Sequence, residues 1–144
     1  MIEELRTYIA NCPYLNDYTE LTINYLVDSK EAYSINEGQG YDPVVNTQTD
    51  GSKEMQFIFT LDSRFVWNEN LENNIKNSKF FENFSNWLEE QNDKDNFPNV
   101  EGIIPETIRA TSNGFIYATN SNEAIYRIEC IFTYLKLWNE NSSI

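Results

Sequence analysis

The sequence of 144 residues contains no histidine. Histidine is the side chain that titrates near neutral pH and the commonest metal ligand, so its absence removes the usual general base and every Ser-His-Asp or Cys-His catalytic set. The two cysteines are too few to hold zinc without several carboxylate ligands. We therefore expect no enzyme activity, no catalytic residues, no cofactor and no bound metal.

Cysteine itself is scarce, and Cys12 and Cys130 lie far apart without a CxxC spacing. Cys130 falls within a run of alternating apolar residues, which favours a buried position. The pattern is typical of two reduced, buried thiols in a cytosolic protein. A disulfide between them is the alternative, although nothing in the sequence requires it.

Basic residues are few, with 10 Lys and Arg against 23 Asp and Glu, for a formal net charge of −13. Tight binding to DNA or an anionic membrane needs clustered Lys and Arg, which the sequence lacks. The acidic balance fits DNA mimicry, a basic protein partner or simple solubility. No apolar run approaches the ~18 residues of a membrane span, and we expect neither a signal peptide nor a membrane contact.

Aromatic residues are abundant, and they concentrate in residues 77–91. At about 100° per residue, one face of a helix there gathers its large apolar side chains within an arc of roughly 120°. These are Phe80, Phe81, Phe84, Trp87 and Leu88. A face of this size must be buried, most simply against a sheet, so we interpret it as core in preference to a ligand pocket.

Alternating residues predict the strands of that sheet. Asp50-Gly51 suits a tight turn and is followed by inward Met55, Phe57, Phe59 and Leu61, with Ile58 on the outer side, which indicates a β-hairpin. Residues 124–137 alternate in the same way but carry apolar residues on both faces, as central strands do.

Together, these helix and strand patterns predict one domain of the α+β class over residues 1–144. It has an antiparallel sheet of four or five strands, with two or three helices packed mainly on one face. The expected helices cover residues 2–11, about 69–76 and about 78–92. Arg64, Arg109 and Arg127 lie in or beside strands, where they form either salt bridges to a partner or ordinary surface charges.

Several short pieces, taken in order, resemble the tail terminator family of long-tailed phages of Gram-positive bacteria, often named minor capsid protein. The early pieces are Tyr8-Ile9 with Cys12-Pro13, Tyr33-Ser-Ile35, Asp50-Gly-Ser52, Gln56-Phe-Ile-Phe59 and Ser63-Arg64. The later ones are Asn77-Ser78, Trp87-Leu-Glu-Glu-Gln91, Gly114-Phe115, Tyr126-Arg127 and Cys130. The resemblance depends on their order and spacing, since no single piece is diagnostic.

The resemblance implies a structural virion assembly protein without catalysis. Such proteins form a ring, commonly of six subunits, that caps the tail tube and makes the tail side of the head–tail joint. The implied partners are other copies of the chain, the tail tube protein and a head completion or connector protein. DNA passes through without specific binding. The implied location is the host cytoplasm during assembly and then the head-proximal end of the tail in the virion.

Ring closure requires two different patches that meet between neighbouring copies. Apolar residues expected on the outer side of strands are candidates, together with the three arginines and the hairpin tip. The predicted interface residues are Asp50, Gly51, Ile58, Arg64, Arg109, Ile125, Arg127 and Ile131.

The negative charge alone supports a second function class, an acidic inhibitor or immunity protein that occupies a basic site on a toxin or nuclease. The two classes differ in oligomeric state, since a terminator multimerises and an inhibitor is usually a monomer or dimer. An enzyme that uses a carboxylate pair is the third and weakest possibility.

Overall fold

Two helices and seven strands make up the computed structural model, which describes residues 1–15, 21–26, 32–66, 71–119 and 123–137. The helices are α1 (Ile2–Ile9) and α2 (Leu71–Asp93). The strands are β1 (Leu21–Ile23), β2 (Ala32–Glu37), β3 (Val44–Thr47), β4 (Lys53–Val66), β5 (Ile103–Ala110), β6 (Phe115–Thr119) and β7 (Glu123–Lys136). All seven strands belong to one sheet, so the predicted α+β class is confirmed.

The centre of the sheet is the antiparallel pair β4–β7, which extends over 14 residue pairs from Lys53–Lys136 to Val66–Glu123. Its inner face carries Phe59 opposite Cys130 and Leu61 opposite Ile128, and these side chains are buried. The predicted alternation of both strands is therefore confirmed. β7 is central, as expected from its apolar residues on both faces.

Each central strand is flanked by two short strands that lie end to end. β2 and β3 both pair with β4, and β5 and β6 both pair with β7. All these pairs are antiparallel, whereas β1 adds to β2 in parallel. The sheet has seven strands, more than the predicted four or five, because both flanking strands are interrupted and β1 extends one edge.

The interruption between β2 and β3 is closed by the loop that connects them. Gly38 donates its N–H to the carbonyl oxygen of Ile58 over 2.8 Å, and Ile58 donates its own N–H to the hydroxyl oxygen of Tyr41 over 3.1 Å. A Cβ atom at Gly38 would lie 2.8 Å from the same carbonyl oxygen. Glycine is required here because only its backbone can approach β4 this closely.

Both helices contribute to one core against the inner face of the sheet. The aromatic face of α2 is buried as predicted, and its rings contact those of the strands: Phe80 to Tyr33 at 5.2 Å and Phe81 to Tyr126 at 5.8 Å between centroids. Tyr8 of α1 lies 5.4 Å from Trp87. The aromatic residues therefore form core, in agreement with the interpretation of the sequence.

The helix predicted at about 69–76 was expected to run into the one at about 78–92, and the structure shows both as one continuous helix of 23 residues, α2. Nothing in residues 76–79, Lys-Asn-Ser-Lys, breaks a helix, because neither proline nor glycine occurs there. Ile75 is 55% exposed, so this apolar residue of α2 lies outside the core.

The C-terminal end of α2 is closed by a left-handed residue. Asp95 has φ 52°, and its N–H donates to the carbonyl oxygen of Asn92 at 3.1 Å. The N–H of Asn96 donates to the carbonyl oxygen of Gln91 at 2.9 Å. These two bonds form a Schellman motif, in which glycine is the usual left-handed residue.

The same end of α2 covers the edge of β5. The side-chain oxygen of Asn92 accepts the N–H of Ile108 at 2.8 Å, and its side-chain nitrogen donates to the carbonyl oxygens of Ile108 and Leu88. The Asn92 side chain thus makes the two hydrogen bonds to Ile108 that a neighbouring strand would otherwise make. The backbone N–H and carbonyl groups at this part of the sheet edge are therefore satisfied.

Both cysteines are free and buried, which confirms the interpretation as reduced thiols over a disulfide. Burial raises the pKa of Cys12 to about 11 and raises the pKa of Cys130 further above its ordinary value. No helix in the described part of the chain is both long and apolar enough to cross a membrane.

We predict that Gly114→Ala destabilises the fold. A Cβ atom there would fall well inside van der Waals contact of Cβ and Cγ of Phe81, so the connection between β5 and β6 would have to move away from α2. The free energy of unfolding should fall by about 1–3 kcal/mol in urea titrations. The exposed neighbour serves as the control: Asn113→Ala should change it by less than about 0.5 kcal/mol. Equal stabilities of the two variants would contradict the prediction.

We predict that Asp95→Gly stabilises the protein by about 1 kcal/mol, because glycine adopts a positive φ without the steric cost that aspartate has there. Asp93→Gly, two residues earlier and still helical, should destabilise it by a few tenths of a kcal/mol. Chemical unfolding of both variants measures the two changes. Changes of the same sign would show that the left-handed geometry does not govern this position.

Candidate functional site

The face of the sheet that points away from the helices, here called the outer face, collects six of the eight predicted interface residues. On β4 and β7 it is formed by the side chains that alternate with the buried ones. No described helix packs against it. The six residues are Ile58, Arg64, Arg109, Ile125, Arg127 and Ile131.

Three of these residues form a row across neighbouring strands. Ile58 of β4 lies directly opposite Ile131 of β7, and Ile131 lies directly opposite Arg109 of β5. Both isoleucines are half-buried, and Arg109 is exposed. Directly opposed residues in an antiparallel sheet have Cβ atoms about 5 Å apart. The row therefore presents a continuous apolar strip with a positive charge at one end.

Arg127 is held by an ion pair within the sheet. It donates from Nε and from one terminal nitrogen to the two carboxylate oxygens of Asp62, directly opposite on β4, at 2.8 Å each. Its guanidinium carbon also lies 3.7 Å from the ring centroid of Tyr117 on β6. The hydrogen bonds from Asp62 raise the pKa of Arg127. This arginine is therefore fixed in place before any partner arrives.

Arg64 is held in a similar way at the far end of β4. Its Nε lies 3.4 Å from a carboxylate oxygen of Glu123, and Ile125 lies directly opposite it on β7. Arg64 is only 9% exposed, so little of its side chain is accessible to a partner, and its charge mainly pairs with Glu123 within the chain.

Asp50 and Gly51 lie elsewhere, in the turn of the β3–β4 hairpin at the opposite end of β4 from Arg64. The Asp50 carboxylate accepts the N–H of Ser52 at 2.9 Å, which lowers the pKa of Asp50, and Gly51 has φ 89°. The hairpin predicted from Asp-Gly is confirmed. The structure does not bring these two residues to the outer face.

Sequence reasoning missed the partners of Arg127. Alternation along β4 predicts Asp62 on the outer side of the strand, but its pairing with Arg127, 65 residues later in the chain, depends on the register between β4 and β7. The sequence also predicts a strand at Gly114 to Thr119, where β6 lies, but not that three of its large side chains are exposed: Phe115, Ile116 and Tyr117. A signal for β6 was present in the sequence, because residues 110–122 contain no charged side chain.

Metal-binding clusters and grooves are the features of the surface that catalytic chemistry would use. Within the described ranges, no group of three or more Cys, Asp or Glu side chains is placed to hold a metal ion. A groove of about 310 Å³ beside α1 is lined mainly by amide, hydroxyl and aromatic groups, including Thr7, Tyr8, Trp87 and Asn96. It contains one carboxylate, Glu4, which already pairs with the amino group of Met1 at 2.8 Å.

Comparisons with known proteins leave the family open. No protein-family model matches the chain, and no curated protein sequence matches it significantly. Function is therefore inferred from the residues and geometry described above and from the resemblance of the ordered sequence pieces.

We predict that Asp62→Asn weakens the fold by about 2–3 kcal/mol, because it removes the charge that pairs with a partly buried guanidinium. Glu129→Gln makes the same chemical change at an exposed position two residues along β7 from Arg127 and should cost less than about 0.5 kcal/mol. Thermal and urea unfolding of both variants measures the difference. Indistinguishable unfolding midpoints would mean that the Asp62–Arg127 pair adds no net stability.

Proposed function

We propose that this protein is a structural assembly subunit of the phage tail terminator type, which caps the tail tube as a ring, presents the tail side of the head–tail joint and performs no catalysis. The observation that carries the proposal is the outer face of the sheet. It combines half-buried isoleucines in register with arginines that are already paired inside the chain.

The charge of the outer face supports assembly with further copies. Three of the four arginines of the chain lie there, at positions 64, 109 and 127, although the whole molecule has a net charge of −13. Arginines 64 and 127 are balanced by Glu123 and Asp62. A nearly balanced face can meet a surface of the next copy without the repulsion that the rest of the molecule would impose.

The apolar residues of the outer face also support association with further copies. The strip formed by Ile58 and Ile131, bounded by Arg109, has the arrangement of an interface core with a polar border. In a ring the strip would meet a different patch on the neighbouring copy, since ring contacts are heterologous. An acidic inhibitor that covers a basic site would instead need a strongly negative contact surface, which the outer face is not.

The acidic side of the molecule has a role in the same proposal. Glu82, Glu89 and Glu90 are exposed on the side of α2 that faces away from the core. If this side lines the ring, its negative charge repels DNA phosphates and lets the genome pass without being held. A ring structure with a neutral or basic lumen would remove this part of the proposal.

The test of the function is electron microscopy of tails from a virus that lacks this protein. Overlong tubes that fail to join heads are expected, because nothing stops tube growth. Tails of normal length, joined to heads, would overturn the proposal.

The role of the outer face is tested by complementation with Ile131→Asp. We expect a folded protein that fails to restore tail length, since a carboxylate in the apolar strip opposes subunit contact. Ile75→Asp places the same change at an exposed position of α2 outside the sheet and should restore normal tails. Circular dichroism decides whether each variant folds: an unfolded Ile131→Asp variant would place this residue in the core instead of the interface.

A further inference from the structure

The edges of the sheet differ in how well they are protected against the addition of another strand. β1 has only three residues, and β3 has an irregular register between Val44 and Asn46. β5 carries Pro105, a second irregularity after it, and the side chain of Asn92 along its edge. Short strands, bulges, prolines and covering side chains are the usual means by which proteins block edge-to-edge association.

β6 lacks all of these protections except one irregularity between Ile116 and Ala118. In the described structure it pairs with β7 alone, so its other edge is open. All five of its residues are exposed, and Tyr117 is 56% exposed. Its sequence, Phe-Ile-Tyr-Ala-Thr, is rich in residues that favour strands and contains neither charge nor proline.

Apolar side chains flank the open edge on both sides. Phe115 lies opposite Arg127 and so on the outer face, whereas Ile116 lies opposite the buried Tyr126 and so on the helix side. They are 38% and 47% exposed. A strand added at this edge would therefore gain backbone hydrogen bonds and cover apolar surface on both faces.

Charge decides which strand fits. β6 lies in the longest uncharged stretch of the chain, 13 residues from Ala110 to Asn122. A strongly basic or acidic peptide would find no opposite charge on β6. A second copy brings the same uncharged strand, so its approach at this edge avoids the repulsion between two molecules that each carry −13.

We propose that β6 is the site at which a second copy of this chain docks, its own β6 pairing antiparallel with the first across a two-fold axis. The contact is isologous: the same edge is used by both copies, and the two seven-stranded sheets become continuous. It uses the sheet edge and leaves the row of Ile58, Ile131 and Arg109 free. The inference therefore stands independently of the proposed tail function.

The experiment is sedimentation velocity of the full chain from micromolar to millimolar concentration. The wild type is expected to shift from monomer to dimer. Ile116→Lys should raise the dimer dissociation constant at least ten-fold, because two ammonium groups then meet across the axis. The matched control is Ile104→Lys on the covered edge strand β5, since Ile104 is also 47% exposed, and its dissociation constant should stay within two-fold of the wild type.

Hydrogen exchange gives a second readout that needs no substitution. Outward amides of residues 115–119 should exchange more slowly as the protein concentration rises, while those of β3 should not change.

The inference would be overturned by a wild type that stays monomeric, by a dimer that both lysine substitutions weaken equally, or by amide protection that does not depend on concentration. A hexamer that Ile116→Lys leaves intact would also overturn it, a result that still agrees with the ring proposal. Dimers with normal tails in the deletion virus would refute only the tail function.

Discussion

The pairing of β4 with β7 is the constraint on which the rest of the structure depends. Fourteen consecutive residue pairs in one register place the buried side chains of both strands in the core that they share with the helices. The same register sets Asp62 opposite Arg127 and Ile58 opposite Ile131 on the outer face. A shift of one residue would exchange the two faces and put charge into the core. Core and candidate interface are thus two results of a single alignment.

The periodicity of apolar residues predicted the elements whose structure is set by residues close together in the sequence. The alternation in β4 and β7, the hairpin at Asp50-Gly51 and the aromatic face of α2 all follow from periods of two and 3.6 residues. The split flanking strands, the Asn92 contact with Ile108 and the Asp62–Arg127 pair join distant residues, so no local pattern contains them. The outer-face positions of the arginines could be predicted from alternation, but not whether each was already paired.

Uneven distribution of charge connects the candidate surfaces. A molecule with net charge −13 repels its own copies, so association must use surfaces from which this charge is absent. The outer face comes nearer to that condition because Arg64 and Arg127 are paired with acids there, and β6 meets it by having no charge. The exposed acids of α2 lie on another side, where the proposed ring would use them to repel phosphate. Under the two proposals, solubility and association would thus depend on separate parts of the surface.

The distance between β4 and β7 along the chain has a consequence for biosynthesis. Their paired residues are between 57 and 83 positions apart, so β4 leaves the ribosome long before its partner exists. At about 5–20 residues per second, this delay lasts on the order of 3–15 s. Meanwhile Phe57, Phe59 and Leu61 lack their neighbours on β7. Contacts this distant are typical of slow folding. The nascent chain therefore leaves part of the inner face of β4 uncovered until β7 has been made.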